Sequence, residues 1–248
     1  MSNIQIKKVN KITTVQKILE SLREFIKNTQ NPILPNETEL SNQLGVSRLT
    51  VREAVTVLES EGLVSRIQGR GTLINSFATK LENRIDLGGD IESCLKDNGY
   101  LVYFRVLDFQ FRKADDMESE KLNLDSGESI LEVKKLLYAN HEVAAVYIDR
   151  IPERLLKSKD FTGEDLEPTI FPTIEKLCES VITNEVLEMF PYISGEELGD
   201  LFKVSASTPL LAFHVLEYTE KNIPLMFNTE YYTDKFIRFT LCRNIAYK

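Results

Sequence analysis

The sequence predicts an α+β protein with two domains. An N-terminal winged helix-turn-helix precedes a larger domain, in which helices pack on an antiparallel sheet. Apolar residues recur at helical spacing up to about residue 60, and hairpin-like pairs of strands follow beyond residue 100. The length of 248 residues suits two modest domains better than one. Sequential hairpins with intervening helices are typical of an antiparallel sheet with packed helices.

Composition narrows the class of protein. Hydrophobic residues make up 42% and charged residues 27%, which are ordinary values for a chain with a real core. No apolar run approaches the roughly 20 residues of a membrane helix, and the first residues lack the apolar segment of a secretion signal. We therefore expect a cytoplasmic protein without a membrane partner. Three isolated cysteines and two histidines give no metal-ligand spacing, so neither a metal nor a cofactor is expected.

Charge is distributed unevenly along the chain. Residues 1–75 contain ten Lys and Arg and seven Glu, a net charge of +3, whereas the remaining 173 residues sum to −11. A polyanionic partner is therefore expected on the N-terminal part and is repelled by the acidic remainder.

Three helices are predicted in the N-terminal domain. The first covers residues 13–27 and opens with a capping box at Thr13. The second starts at Asn36, which forms a capping box with Glu39, and ends at Gly45, because glycine adopts the left-handed conformation freely. Ser47 caps the third helix, which stops at Gly62. Its apolar stripe consists of Val51, Ala54, Val55 and Leu58.

A β-ribbon is predicted after the third helix. Residues 63–67 and 72–74 form two short strands around a tip that contains Gln68, Gly69 and Arg70. Glycines permit a tight, exposed turn, and Arg70 places a positive charge on it. Helix, helix, tight turn, helix and ribbon is the order of a winged helix-turn-helix, in which the third helix enters the major groove.

The N-terminal end of the third helix carries the candidate DNA contacts. Arg48 and Arg52 are four residues apart and therefore lie on one side, away from the apolar stripe. Arginine can bind guanine through O6 and N7, while Ser47 and Thr50 can bind phosphates or bases. A capped helix pair with two surface arginines also occurs in proteins that never contact DNA, so the pattern alone leaves both interpretations open.

Residues 10–75 resemble the GntR family of bacterial regulators in the order and spacing of several motifs. These motifs are Leu34-Pro-Asn-Glu-Thr-Glu-Leu-Ser, Leu44-Gly-Val-Ser-Arg-Leu-Thr-Val-Arg-Glu-Ala, Leu58-Glu-Ser-Glu-Gly-Leu-Val and Gln68-Gly-Arg-Gly-Thr. The resemblance implies that Arg48 and Arg52 contact DNA and that Gln68-Gly69 form the wing tip. Thr38 stands where the family usually has an arginine, so a DNA contact is lost or weakened there. A dimer on a palindromic double-stranded operator is expected.

The second domain is expected at residues 85–248, after a polar linker at 76–84 that follows the DNA-binding domain of 1–75. Helices are predicted at 90–98, 114–123, 171–180 and 194–202, and strands at 101–112, 130–138, 143–151, 209–218 and 223–232. This part resembles the UTRA effector domain of the HutC subfamily. The motifs are Leu131-Glu-Val-Lys-Lys-Leu-Leu-Tyr-Ala-Asn, Asp149-Arg-Ile-Pro and Tyr231-Tyr-Thr-Asp. The resemblance implies a chorismate lyase-like fold, a homodimer and a small-molecule effector.

Three functions are compatible with the sequence. The leading one is a transcription regulator, most simply a repressor, that a small molecule controls. An enzyme is the alternative that the lyase-like fold offers, but the sequence contains no nucleophile–base set, so no catalytic residue is expected. His214 lies in an apolar strand, where a structural role is commoner. An architectural DNA binder without an effector is the third.

This chain differs from other subfamily members at expected effector contacts, and these differences indicate which class of effector it binds. The members that bind phosphosugars place two arginines where this chain has Lys135 and Leu137, so one cation is weaker and the other is absent. Those members also hold phosphate at a helix start, which here contains Gly89 and Asp90, and a carboxylate there repels phosphate.

The predicted effector pocket is therefore less cationic and more aromatic than in those members. The candidate contacts are Gly89, Asp90, Lys135, Tyr147, Thr169, Phe171 and Tyr232. We expect a non-phosphorylated effector that is nucleoside-like or carries an amine. A sugar phosphate is the alternative if the alignment has slipped, in which case Arg105 or Arg150 supplies the missing charge.

Overall fold

The computed structural model describes residues 14–88, 91–167 and 170–243. It contains two compact units, one formed by Met1–Gly89 with Phe239–Lys248 and the other by Asp90–Arg238. The predicted cap at Thr13 and the predicted effector contacts Gly89, Asp90 and Thr169 lie outside the described residues. Within those residues, no helix is both long enough and apolar enough to span a membrane.

The first unit consists of three helices and a three-stranded antiparallel sheet. The helices are α1 (Thr14–Asn28), α2 (Glu37–Leu44) and α3 (Arg48–Ser60), and the strands are β1 (Ile33–Leu34), β2 (Val64–Ile67) and β3 (Gly71–Ile74). The sheet order is β1-β3-β2. The sequence did not predict β1, because two residues between prolines are too short to show alternation. Its Leu34 joins the core formed by the buried faces of the three helices.

Local capping explains why α2 and α3 begin and end where they do. The Asn36 side chain accepts hydrogen bonds from the backbone of α2, and Glu39 closes the predicted capping box. Gly45 ends α2 in the left-handed conformation with φ of +65°. Ser47 then caps α3 through the Thr50 N–H. Each such cap contributes about 1 kcal/mol, and together they fix the tight turn between α2 and α3.

The predicted linker at 76–84 packs within the first unit instead of running free. Ala78 is buried in the core of the three helices, and the Arg84 side chain is 5% exposed. Arg84 pairs with Asp86, donates a hydrogen bond to the Glu61 carbonyl and forms a parallel bridge with Thr240. The polar composition of residues 76–84 does not reveal that these side chains are packed, because most of their partners lie far away in the sequence. The domain limits of 1–75 and 85–248 remain predictions.

The second unit is a six-stranded antiparallel sheet in the order β4-β5-β6-β9-β8-β7. The strands are β4 (Val102–Lys113), β5 (Ser129–Ala139), β6 (Glu142–Pro152), β7 (Ile182–Ile193), β8 (Pro209–Thr219) and β9 (Pro224–Tyr232). The helices are α4 (Ile91–Asp97), α5 (Asp116–Leu122), α6 (Gly163–Leu166), α7 (Ile170–Cys178) and α8 (Gly195–Phe202). The two predicted hairpins, β5–β6 and β8–β9, form the centre of this sheet.

Helices cover both faces of this sheet. Leu131 and Val133 point to the face on which α6 and α7 pack, which we call the α7 face. Ile130 and Leu136 point to the opposite face, on which α5 and α8 pack. This alternation follows from the two-residue period of a strand. It decides which polar side chains of β5, β6, β8 and β9 meet.

Candidate DNA-reading surface and effector site

The start of α3 exposes the two predicted arginines. The side chains of Arg48 and Arg52 are 62% and 56% exposed, whereas the stripe containing Val51 and Val55 is buried against α1 and α2. The helix therefore offers one cationic face to solvent. Arg66 of β2 reaches α3, where it donates hydrogen bonds to the Arg52 carbonyl at 3.1 Å and to the Thr56 hydroxyl at 2.8 Å. These bonds fasten the β-ribbon to α3.

Glu37, the first residue of α2, holds Arg52 in place. Arg52 donates from Nε at 3.0 Å and from Nη2 at 2.8 Å to the Glu37 carboxylate, and Arg48 Nη2 lies 4.0 Å from it. The hydrogen bonds from Arg52 lower the pKa of Glu37. This contact uses the Nε–Nη2 edge of the guanidinium and leaves the Nη1–Nη2 edge for guanine. Sequence reasoning missed Glu37, because the two residues lie 15 positions apart in different helices.

The neighbouring hydroxyl residues have structural partners as well. Ser47 Oγ accepts a hydrogen bond from the Thr50 N–H at 3.1 Å, and the two hydroxyl oxygens lie 2.7 Å apart. Thr38 is exposed in the first turn of α2, where its N–H donates to Asn36. The short Thr38 side chain replaces a long cation on this surface.

The predicted tip of the wing is an exposed turn. The Arg70 N–H donates to the Ile67 carbonyl at 3.0 Å, which closes the turn between β2 and β3. Gly69 has φ of +79°, a conformation that disfavours a side chain. Gln68, Gly69 and Arg70 are all exposed, so the tip presents its positive charge to solvent.

Three of the predicted effector contacts meet on the α7 face of the second unit. Lys135 on β5 lies opposite Tyr147 on β6, and Tyr147 approaches Tyr232 of β9 edge-on at 6.2 Å between ring centres. The Lys135 ammonium lies 5.0 Å from the centre of the Phe104 ring. Phe171, at the start of α7, is 38% exposed. The structure therefore brings together three of the residues that the family resemblance proposed, and their role in binding an effector stays a prediction.

Sequence reasoning missed a group of buried polar side chains beside them. Asp149 lies two residues beyond Tyr147 on β6, and its Oδ2 is 3.8 Å from the Lys135 ammonium. Glu230 accepts hydrogen bonds from the Tyr232 hydroxyl and from Asn228 Nδ2. Burial raises the pKa of Glu230 to about 7 and lowers the pKa of Lys135. No local signal marks these residues, because only the register of the three strands β5, β6 and β9 brings them together.

Arg150, one of the two alternative cations, has other partners. Its Nε lies 2.7 Å from Glu118 of α5, and its Nη1 donates to Thr229 at 2.9 Å. These contacts are on the face opposite to Lys135. Arg105 is exposed on β4. Neither arginine joins Lys135 among the contacts described for the α7 face.

Two family models match the chain in the predicted order. The model of bacterial regulatory proteins of the gntR family matches residues 14–74, and the UTRA domain model matches residues 97–237. The chain belongs to the GntR family. Its UTRA domain confirms the predicted HutC subfamily. The chain is therefore a DNA-binding transcription regulator with an effector-binding domain. This family consists of regulators, so the enzyme alternative is not supported.

Curated relatives of this GntR-family regulator extend over most of both domains. The chain is 26% identical to the transcriptional repressor NagR of Bacillus subtilis over 88% of its length and 89% of that protein. It is 28% identical to the mannosyl-D-glycerate transport/metabolism system repressor MngR of Escherichia coli, over 72% of each chain.

A solved structure confirms the fold of this GntR-family regulator. The possible transcriptional regulator YydK of Bacillus subtilis superposes with a TM-score of 0.77 at 20% identity, covering 94% of this chain and all of that one. PhnF of Mycobacterium smegmatis matches with a TM-score of 0.59 at 18% identity, over 92% of this chain and all of that one. Both likenesses concern the fold alone.

Proposed function

We propose that this regulator is a repressor that binds a palindromic double-stranded operator as a homodimer and leaves it when a small molecule binds the α7 face. The observation that carries the DNA-binding part is the exposed pair Arg48 and Arg52, oriented by Glu37 beside the wing. NagR and MngR are both named as repressors, which favours repression over activation.

The proposed DNA contacts divide into base readers and positioning groups. Arg48 and Arg52 read guanines in the major groove, because each presents a forked donor edge. The wing tip at Gln68–Arg70 follows the phosphate backbone or enters the minor groove. Ser47, Thr50 and Thr38 lie where hydroxyls can bond phosphates, and Thr38 reaches less far than an arginine.

The homodimer is proposed to form along β7, the edge strand next to β8. Val186, Met189, Tyr192 and Ile193 are each more than 40% exposed on this strand. An edge strand with large exposed apolar side chains favours association with another chain, and a second copy presents the same surface. Two winged domains per dimer match the two half-sites of a palindrome.

The proposed effector site is built on Lys135, Tyr147 and Tyr232, and the sequence adds Gly89, Asp90, Thr169 and Phe171 as candidate contacts. A single buried lysine and several aromatic rings favour a non-phosphorylated molecule that is nucleoside-like or carries an amine. A sugar phosphate is the alternative. The names of the relatives do not decide between these two effector classes. One relative is the repressor of a mannosyl-D-glycerate transport/metabolism system, and another is a probable repressor of a fructoselysine utilisation operon.

The coupling of the two sites is the experiment that tests this proposal. An operator is first isolated from random duplexes, and its affinity is measured by fluorescence anisotropy with and without each candidate ligand. We expect the effector to weaken operator binding, and the operator to weaken effector binding by the same factor. A ligand that saturates the protein and leaves operator affinity unchanged would exclude that ligand as the effector. A metabolite panel that produces no ligand-dependent change would favour an architectural DNA binder.

A further inference from the structure

We propose that the effector of this regulator is a protonated organic amine, whose ammonium group binds within the acidic cluster formed by Asp149, Glu217 and Glu230. This inference rests on the proposed effector role of the α7 face. It deepens that role by naming the charged group that the ligand must carry and three residues that sequence reasoning did not assign.

The register of the central strands places the three carboxylates on one face of the sheet. Asp149 on β6 pairs with Asn228 on β9, and Glu230 on β9 pairs with Tyr147 on β6. Glu217 on β8 pairs with Met226, which belongs to the core beneath α7. Alternate residues of a strand share one face, so Asp149, Glu217 and Glu230 lie on the same face as Lys135 and Tyr147.

Two of these carboxylates and a nearby amide are buried with unused acceptors. Asp149 and Glu217 have no exposed surface, and neither accepts a hydrogen bond from any residue that the structure describes. The same holds for Asn228 Oδ1, although Asn228 Nδ2 donates to Glu230. A buried acceptor without a hydrogen-bond donor is unfavourable. The two carboxylate oxygens of Asp149, the two of Glu217 and Asn228 Oδ1 therefore favour the binding of a molecule that donates hydrogen bonds.

The electrostatics of the cluster favour a cation over a neutral hydrogen-bond donor. Lys135 faces the cluster and approaches Asp149, while Glu92 of α4 also acts on it. Burial and mutual repulsion with Asp149 and Glu185 raise the pKa values of Glu217 and Glu230. Arg150 acts on Asp149 through space but forms its ion pairs on the opposite face. A bound ammonium favours the ionised carboxylates and supplies hydrogen-bond donors to them.

An organic cation fits this surface better than a metal ion does. Among the residues that the structure describes, no group of three or more carboxylates, histidines or cysteines is arranged to hold a metal. Rings lie beside Glu230 instead, since Tyr232 donates a hydrogen bond to Glu230 and contacts both Tyr147 and Phe213. Aromatic faces and edges suit the apolar body of an amine and attract its charge. Glu230 and Tyr147 keep partial exposure, so a ligand can reach them from solvent.

Pairs of compounds with and without an amino group test whether the full chain prefers a positively charged ligand. The probes are tyramine against 4-ethylphenol, 1,4-diaminobutane against 1,4-butanediol, and glucosamine against glucose, with glucose-6-phosphate as the anionic probe. Thermal shift at about 10 mM is followed by calorimetric titration at pH 7.5. We expect at least one amine to bind about tenfold or more tightly than its neutral partner.

Isosteric variants show whether the cluster causes that preference. Glu217→Gln removes a charge and keeps the shape, and it is expected to reduce the preference for the amine about tenfold. Glu230→Gln serves as the second variant if Glu217→Gln does not fold. Glu196→Gln, on an exposed residue of α8, is the matched control and is expected to bind the amine as the unaltered chain does.

Several results would overturn the proposal. These are neutral partners that bind as tightly as the amines, a panel in which no amine binds, and an amine preference that survives both cluster variants. Stabilisation by Mg²⁺ or Ca²⁺ that Glu217→Gln abolishes would assign the cluster to a metal instead. If glucose-6-phosphate alone binds and releases the operator, the proposed function stands and this inference fails. A chain that binds no operator would contradict the proposed function itself.

Discussion

Replacement of Arg52 by alanine is expected to weaken operator binding far more than it weakens the fold. Arg52 is 56% exposed, and its interaction with Glu37 is a surface ion pair, which contributes little to stability. The loss of a forked contact to guanine reduces affinity by about 5- to 150-fold. Fluorescence anisotropy with the selected operator measures the affinity, and thermal denaturation measures the stability.

Two further variants separate the readout of bases from charge. Arg52→Lys keeps the charge and loses the fork, so the salt dependence of binding is retained while discrimination between bases falls. Glu37→Gln leaves Arg52 less firmly oriented, and we expect a smaller loss of specific affinity. Arg23→Ala breaks a comparable ion pair with Glu61, where α1 meets the end of α3, and serves as the control.

The reasoning would be refuted by an Arg52→Ala protein that binds the operator as tightly as the unaltered chain. It would equally be refuted if Arg23→Ala weakened specific binding as much as Arg52→Ala does. Either outcome would mean that the start of α3 does not read DNA.

Three other changes test the packing and electrostatics. Gly62→Ala is expected to destabilise the chain by about 1–2 kcal/mol or more, because Gly62 has φ of +72° and an added Cβ would lie 2.8 Å from Cys242 Sγ; an unchanged melting temperature would contradict this. Arg84→Ala removes bonds to Asp86 and to a backbone carbonyl and is expected to cost about 2 kcal/mol in urea unfolding; a loss below the error of the measurement would show that residues 76–84 are not held. The folded-state pKa of Glu230 is raised to about 7 from 4.5, so the stability due to its protonated form is present below pH 4.5 and is lost as pH rises to about 7. Without ligand, Glu230→Gln should therefore gain up to ~3 kcal/mol relative to the unaltered chain between pH 5 and 8; a difference independent of pH would contradict the assignment.

Local signals in the sequence predicted much of the fold. The caps at Asn36 and Ser47 and the left-handed Gly45 are short-range features, and the structure confirms all three. The central hairpins were predicted for the same reason, since strand alternation and turn residues lie close together in the chain. The aromatic pair Tyr147 and Tyr232 required the family resemblance in addition, because 85 residues separate them.

The features that the sequence did not predict depend on distant partners. The edge strand β7 contains Pro191, which argues against a strand in sequence, yet proline is tolerated at a sheet edge. Asp149, Glu217 and Glu230 look like ordinary strand carboxylates until the register of β6, β9 and β8 places them on one buried face. Contacts of this kind arise from tertiary packing, which local periodicity does not encode.

The most direct test of the central claim is selection of bound sequences from a randomised duplex library with the full chain. The account predicts an enriched palindromic motif with guanines in each half-site, bound with a steep dependence on salt. The preference for those guanines should disappear in the Arg48→Ala and Arg52→Ala double variant, while weak binding that is independent of sequence remains. A library without enrichment, or the same motif selected by the double variant, would contradict the assignment of α3 as the helix that reads DNA.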